Sequence, residues 1–160
     1  MDGVHDEHNL AGAIYGTILA TSVVAGLSEG NQVDHGPGAL VVLGTSLVFW
    51  TAHVYAGVLG QHLQRRHGLT WPRIRRVARY EWPILASGFP PAIVLALGTM
   101  GLFERNTAYA VAIGTGIAAL VLWGFAYARE QGYGLAGRLL AAGTTGALGL
   151  VIVALKVLVH

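Results

Sequence analysis

The sequence predicts an all-α, polytopic membrane protein: a helical bundle of five transmembrane helices, with a short basic interfacial helix between the second and third. Apolar stretches at 10–27, 38–60, 83–103, 107–128 and 139–159 fill most of the 160 residues. Each is 18 to 23 residues long, and a helix needs roughly 17–25 apolar residues to cross the hydrocarbon core. Their only formal charge is Lys156, near an end, where it can snorkel to the interface. The basic residues crowd instead into the connections. Charged residues make up 11% of the chain, well under the ~25% usual in soluble domains. Residues 1–160 are expected to form a single integral membrane domain, with no linker, repeat or low-complexity segment.

The first stretch follows MDGVHDEHN, which has three acids and no Lys or Arg. A signal peptide wants a positive n-region, so this stretch is expected to stay as a membrane helix. Gly12, Gly16 and Ala20 recur at four-residue spacing along it. Ala110, Gly114 and Ala118 do so in the fourth span, and Ala142, Gly146 and Gly149 form a similar stripe in the fifth. Membrane helices approach one another through such small residues. Internal packing is the plain use of these faces; a homo-oligomer or a membrane-protein partner is the alternative.

The connections set the expected orientation. The second carries Arg65, Arg66, Arg73, Arg75, Arg76 and Arg79, and the fourth carries Arg129 and Arg138. That is eight of the ten Lys and Arg, on one side if all five spans cross. The positive-inside rule places that side and the N-terminus in the cytoplasm and the C-terminus outside, in a multi-pass membrane protein. An arginine cluster held between two spans also makes nucleic acid an improbable partner.

Within the second connection, Thr70 is placed to cap a helix opening on Trp71 and Pro72. Ile74, Val77, Ala78 and Trp82 then recur at helical spacing, while Arg73, Arg76 and Arg79 fall elsewhere on the wheel. This predicts an amphipathic helix on the membrane face, its arginines toward anionic lipid headgroups.

The candidate polar site lies in the second span. Ser46, Trp50, His53, Gly57 and Gly60 follow at intervals of four, three, four and three, forming one stripe. His53 lies eight residues before Gln61, roughly 12 Å inside the boundary. An ionisable group at that depth is a functional candidate, suited to proton relay or cation coordination. The plain reading is a neutral imidazole stapling two helices. Tyr15, Thr17, Ser87, Trp123 and Thr144 are expected in the same inner third. His53 should point into the bundle and bond Tyr15, Thr17, Ser87 or the Ala86 carbonyl. Pro90 and Pro91 should kink the third span and free the carbonyls of Ala86 and Ser87. Freed carbonyls must find partners or face a wet cavity.

Four stretches, AIYGTILATSVVAGLSE (13–29), FWTAHVYAGVL (49–59), EWPILASGFPPA (81–92) and GALGLVIVALKVLVH (146–160), resemble an uncharacterised family of small bacterial integral membrane proteins. The resemblance covers most of the chain and implies the membrane fold, but no reaction.

The best functional expectation is therefore a small transport or channel component using the polar layer around His53. The alternative is a non-catalytic scaffold or assembly subunit joined through the small-residue faces. An enzyme is not expected. The spans hold no Asp or Glu and one His, and Ser46 lies about 10 Å from His53, too far for a direct hydrogen bond. With no cysteine and a lone span histidine, no cofactor or metal is expected.

Overall fold

The computed structural model describes residues 3–28, 35–65 and 70–158, without the side chains of 3–9, 35–37, 61–65, 156 and 157. The snorkelling expected of Lys156, and Arg65 and Arg66, fall outside that description.

The described residues form seven helices joined by turns: α1 (Gly3–Leu27), α2 (His35–Arg65), α3 (Trp71–Tyr80), α4 (Trp82–Ala86), α5 (Phe89–Thr99), α6 (Arg105–Glu130) and α7 (Leu135–Leu158). Five stretches are long and apolar enough to cross a membrane: Leu10–Leu27, Gly38–Gly60, Trp82–Thr99, Arg105–Glu130 and Leu135–Leu155. The third is α4 and α5 together. Helices suit lipid because each satisfies its own backbone hydrogen bonds.

Two helix ends are sharp. α5 stops at Thr99, short of residue 103, because Gly101 takes a φ of 80°. There Leu102 N–H donates to Leu97 O and Gly101 N–H to Gly98 O, which closes the last turn. Gly132, with a φ of 75°, ends α6 the same way: Tyr133 N–H donates to Ala128 O and Gly132 N–H to Arg129 O. The connection between the apolar stretches 83–103 and 107–128 thus lies upstream of residues 104–106, and α6 already begins at Arg105.

α6 is the central element, packing on α1, α5 and α7. Its buried stripe is Ala108, Ala112, Gly116, Leu120, Gly124 and Ala128. The expected stripe of Ala110, Gly114 and Ala118 is exposed instead. Both registers offer small residues. The one used is the one met by Thr21 of α1 at Gly116 and by Thr145 of α7 at Gly124. The stripe on α7, Ala142, Gly146 and Gly149, is buried as expected. On α1, a Cβ on Gly16 would lie 2.7 Å from Ile84 O and 2.8 Å from Ile84 Cα, so only glycine allows α4 this close.

α3 forms where the arginine pattern predicts it. Thr70 has the extended backbone of a cap residue, but its hydroxyl makes no capping bond. Pro72 serves the first turn, where a missing N–H costs nothing. Val77 is buried, while Trp71, Arg75, Arg76 and Arg79 are exposed. Gly57 of α2 makes room for Val77: a Cβ there would stand 2.9 Å from Val77 Cγ1.

Candidate functional site: a cavity beside the broken third span

The third span breaks where a kink at Pro90 and Pro91 was expected. α4 ends at Ala86, Ser87 and Gly88 form a turn, and α5 starts at Phe89. Neither proline has an N–H to give the carbonyls of Ala86 and Ser87. Both fit the first turn of a new helix, so the chain restarts there with Gly88 as its cap residue. Ser87 Oγ bonds the Ile84 carbonyl at 2.8 Å. A Cβ on Gly88 would overlap Ser46 Oγ, so α2 presses directly on the break.

Beside the break lies a cavity of roughly 550 Å³ between α1, α4–α5 and α6, within the size range of small-molecule sites. Ala86, Ser87, Pro90 and Pro91 form one wall, Thr17 and Thr21 of α1 another, and Thr115, Ala119 and Trp123 of α6 a third. The threonine hydroxyls are already used. Thr17 Oγ1 donates to Ala13 O (2.6 Å), Thr21 to Thr17 O (2.7 Å) and Thr115 to Val111 O (2.8 Å). The interior is thus mainly apolar. At the end where α3 meets α4 and α6 terminates, the lining changes to Arg79, Trp82 and Glu130. Among the described residues, neither Arg79 nor Glu130 is held in an ion pair.

The predicted stripe on α2 has a different neighbourhood. Ser46 is buried and bonds Val42 O at 2.9 Å. Trp50 Nε1 donates to Ala78 O at 3.0 Å, satisfying one of the last carbonyls of α3. Its ring meets Trp82 edge-on, centroids 6.4 Å apart at 87°. Ser46, Trp50 and Gly57 therefore seat the break and α3, while a Cβ on Gly60 would meet no atom of the described residues within 4 Å. His53 is half-buried, and its Nδ1 lies 2.9 Å from Phe49 O of its own helix. That carbonyl, four residues back, takes the place of the partner expected on α1 or the third span. Tyr15 does reach His53, but by ring contact, centroids 5.2 Å apart and tilted 50°.

The expected polar layer thus divides. Thr17, Ser87 and Trp123 line the cavity. Tyr15 pairs with His53 outside it. Thr144 is exposed on α7 and bonds Leu140 O. Of the three arginines expected at headgroups, Arg76 and Arg79 are exposed and Arg73 half-buried.

Arg75, Arg79, Trp50, Ala78 and Trp82 border a smaller, open groove of roughly 300 Å³. Sequence reasoning passed over Arg75, although its four-residue spacing from Arg79 puts both on one helix face. It also passed over Thr21, Thr115, Ala119 and Glu130, for which periodicity carries no signal. Next to this group, burial and then the Glu81 charge push the Tyr80 phenol above its ordinary value. Among the described residues no three His, Cys, Asp or Glu side chains gather closely enough to hold a metal ion.

Fold and lining define a small polytopic membrane protein with five membrane-spanning helices. Comparison with known proteins finds no matching family model, curated protein or solved structure.

Proposed function

We propose that this protein is a small, non-catalytic transport component that takes an amphiphilic molecule into the cavity between α1, α4–α5 and α6. The observation that carries this reading is the gradient along the lining. Threonine methyls, alanine and proline give way to Trp82, Arg79 and Glu130 at one end. A molecule with an apolar chain and a polar head matches that gradient, since burying the chain is favourable by about 0.8 kcal/mol per methylene. The reading moves the working compartment away from His53, whose ring is bonded to the Phe49 carbonyl.

Within this proposal the protein sits in the bacterial cytoplasmic membrane as one of the family of small integral membrane proteins it resembles. The arginine-rich end and N-terminus face the cytoplasm, the C-terminus faces outward, and Arg73, Arg76 and Arg79 meet anionic headgroups. Reporter fusions after Arg79 and after His160 should report opposite sides; a shared side would overturn this topology.

Transport is tested in proteoliposomes holding a head-labelled fluorescent phospholipid, bleached from outside by an impermeant reductant. The wild type should expose the inner-leaflet label faster than empty liposomes do. Ala119→Phe, which fills the cavity without touching a charge, should remove the acceleration. A wild type no faster than empty liposomes would overturn the proposal.

A second reading, assembly, is favoured by the exposed face of Ala110, Gly114 and Ala118 on α6. A defined oligomer by mass measurement in mild detergent would support it.

A further inference from the structure

The larger cavity and the smaller groove share a wall. Arg79 and Trp82 line both, so the apolar compartment adjoins the open groove bordered by Arg75, Trp50 and Ala78. Three features of that space bear on what it takes. The two arginines lie one helical turn apart on α3, with both side chains against the same space. Guanidinium groups bind phosphate through paired, charge-assisted hydrogen bonds, and two on one face exceed what a single surface arginine offers. The aromatic walls are held in place: Trp50 by its bond to Ala78 O, Trp82 by the edge contact with Trp50. Indoles favour the headgroup level of a bilayer. Finally, no carboxylate lines the smaller space: Glu130 lines only the larger cavity, and Glu81, beside Tyr80, lines neither.

We propose that Arg75 and Arg79, between Trp50 and Trp82, bind the phosphate of a glycerophospholipid whose acyl chain lies in the neighbouring cavity. This rests on the amphiphile reading above and names its ligand. The charge complementarity belongs to the two arginines, and the apolar compartment begins at Arg79, where a headgroup phosphate would join its chain.

The test uses the purified full chain in mild detergent, with native mass spectrometry of bound lipid. The probes are dioleoyl phosphatidylglycerol and dioleoylglycerol, which share chains and differ by the phosphate-bearing head. The wild type should retain the phospholipid at least roughly tenfold better, the scale of a lost charge-assisted bond. Arg75→Gln with Arg79→Gln should bring the preference close to one while dioleoylglycerol adducts persist. Arg75→Lys with Arg79→Lys keeps the charge without the fork, and should restore only part. Arg129→Gln with Arg138→Gln removes equal charge at the same end and should leave the preference intact. If that control lowers it as much, diffuse interfacial charge is the cause and the proposal is overturned. A wild type that retains both lipids equally overturns the phosphate site alone and leaves the amphiphile cavity standing. Unchanged phospholipid adducts in Ala119→Phe place the lipid elsewhere and overturn both.

Discussion

From Ile117 to Gly124 the face of α6 toward α7 is closed, opening toward its start into a space of roughly 560 Å³ beside Leu150 and Val153, whereas the face toward α1 and α4–α5 holds the cavity beside the break. On the closed side, contact is made through glycine at three levels. A Cβ on Gly124 would stand 2.7 Å from Ala141 O, one on Gly146 2.8 Å from Val121 Cγ2, and one on Gly149 3.0 Å from Ile117 Cγ1. Thr145 Oγ1 crosses the seam to Leu120 O at 2.8 Å. The other side also has close approaches, Gly116 to Thr21 and Gly16 to Ile84. There, however, the partner helix does not run through: α4 ends at Ala86 and α5 restarts at Phe89. Small residues bring membrane helices together at points. Continuous contact also needs two unbroken helices, and two prolines at the break deny it.

The comparison can be broken most severely at Gly124. Gly124→Leu meets Thr145 Oγ1 and, behind it, the Ala141 backbone, which cannot move aside, so α6 and α7 should separate. The expected outcome is loss of the monodisperse peak in size-exclusion chromatography. Ala119→Phe, on the cavity side of the same helix, should leave that peak intact.

A smaller effect should follow from Pro90→Ala with Pro91→Ala. Restored N–H groups can bond the carbonyls of Ala86 and Ser87, extending α5 back across the turn. Thermal stability in detergent should hold or rise, while lipid movement falls several-fold. Unchanged movement would mean that the break does not shape the working compartment.

Thr145→Val should cost about 0.5–1 kcal/mol, the usual range for one interhelical hydrogen bond in a membrane protein. Its thermal midpoint should drop by a few degrees without a change in lipid retention, since Thr145 does not line the cavity.

His53→Gln should have the smallest effect. An imidazole bonded to its own helix at Phe49 O contributes little that glutamine lacks, and stability should stay within about 0.5 kcal/mol. The pH profile of lipid movement between roughly pH 5 and 8 should also be unchanged. A flattened profile in folded His53→Gln protein would return the site to the α2 stripe.

The sequence by itself determined the five spans and the arginine-bearing α3. In lipid the backbone must bond to itself, so an apolar run of sufficient length can be little but a helix. It also carried the position of the break to within a turn, through Pro90 and Pro91, but not the stop at Gly101, past which the apolar run continues to residue 103. Only the tertiary structure decided which face of each helix is inside. Lipid and protein interior are equally apolar, so hydropathy does not distinguish them. α6 shows this directly: Ala110, Gly114 and Ala118 read as well as Ala112, Gly116 and Gly124, and the choice fell to Thr21 and Thr145 on neighbouring helices. The same holds for His53. Its place in the second span was legible, but its bond to Phe49 O and its separation from Thr17 and Ser87 follow from how α2 turns toward α3 and α4. The cavity depended on tertiary structure most of all, because its walls come from α1, the broken third span and α6, which no single stretch of sequence contains.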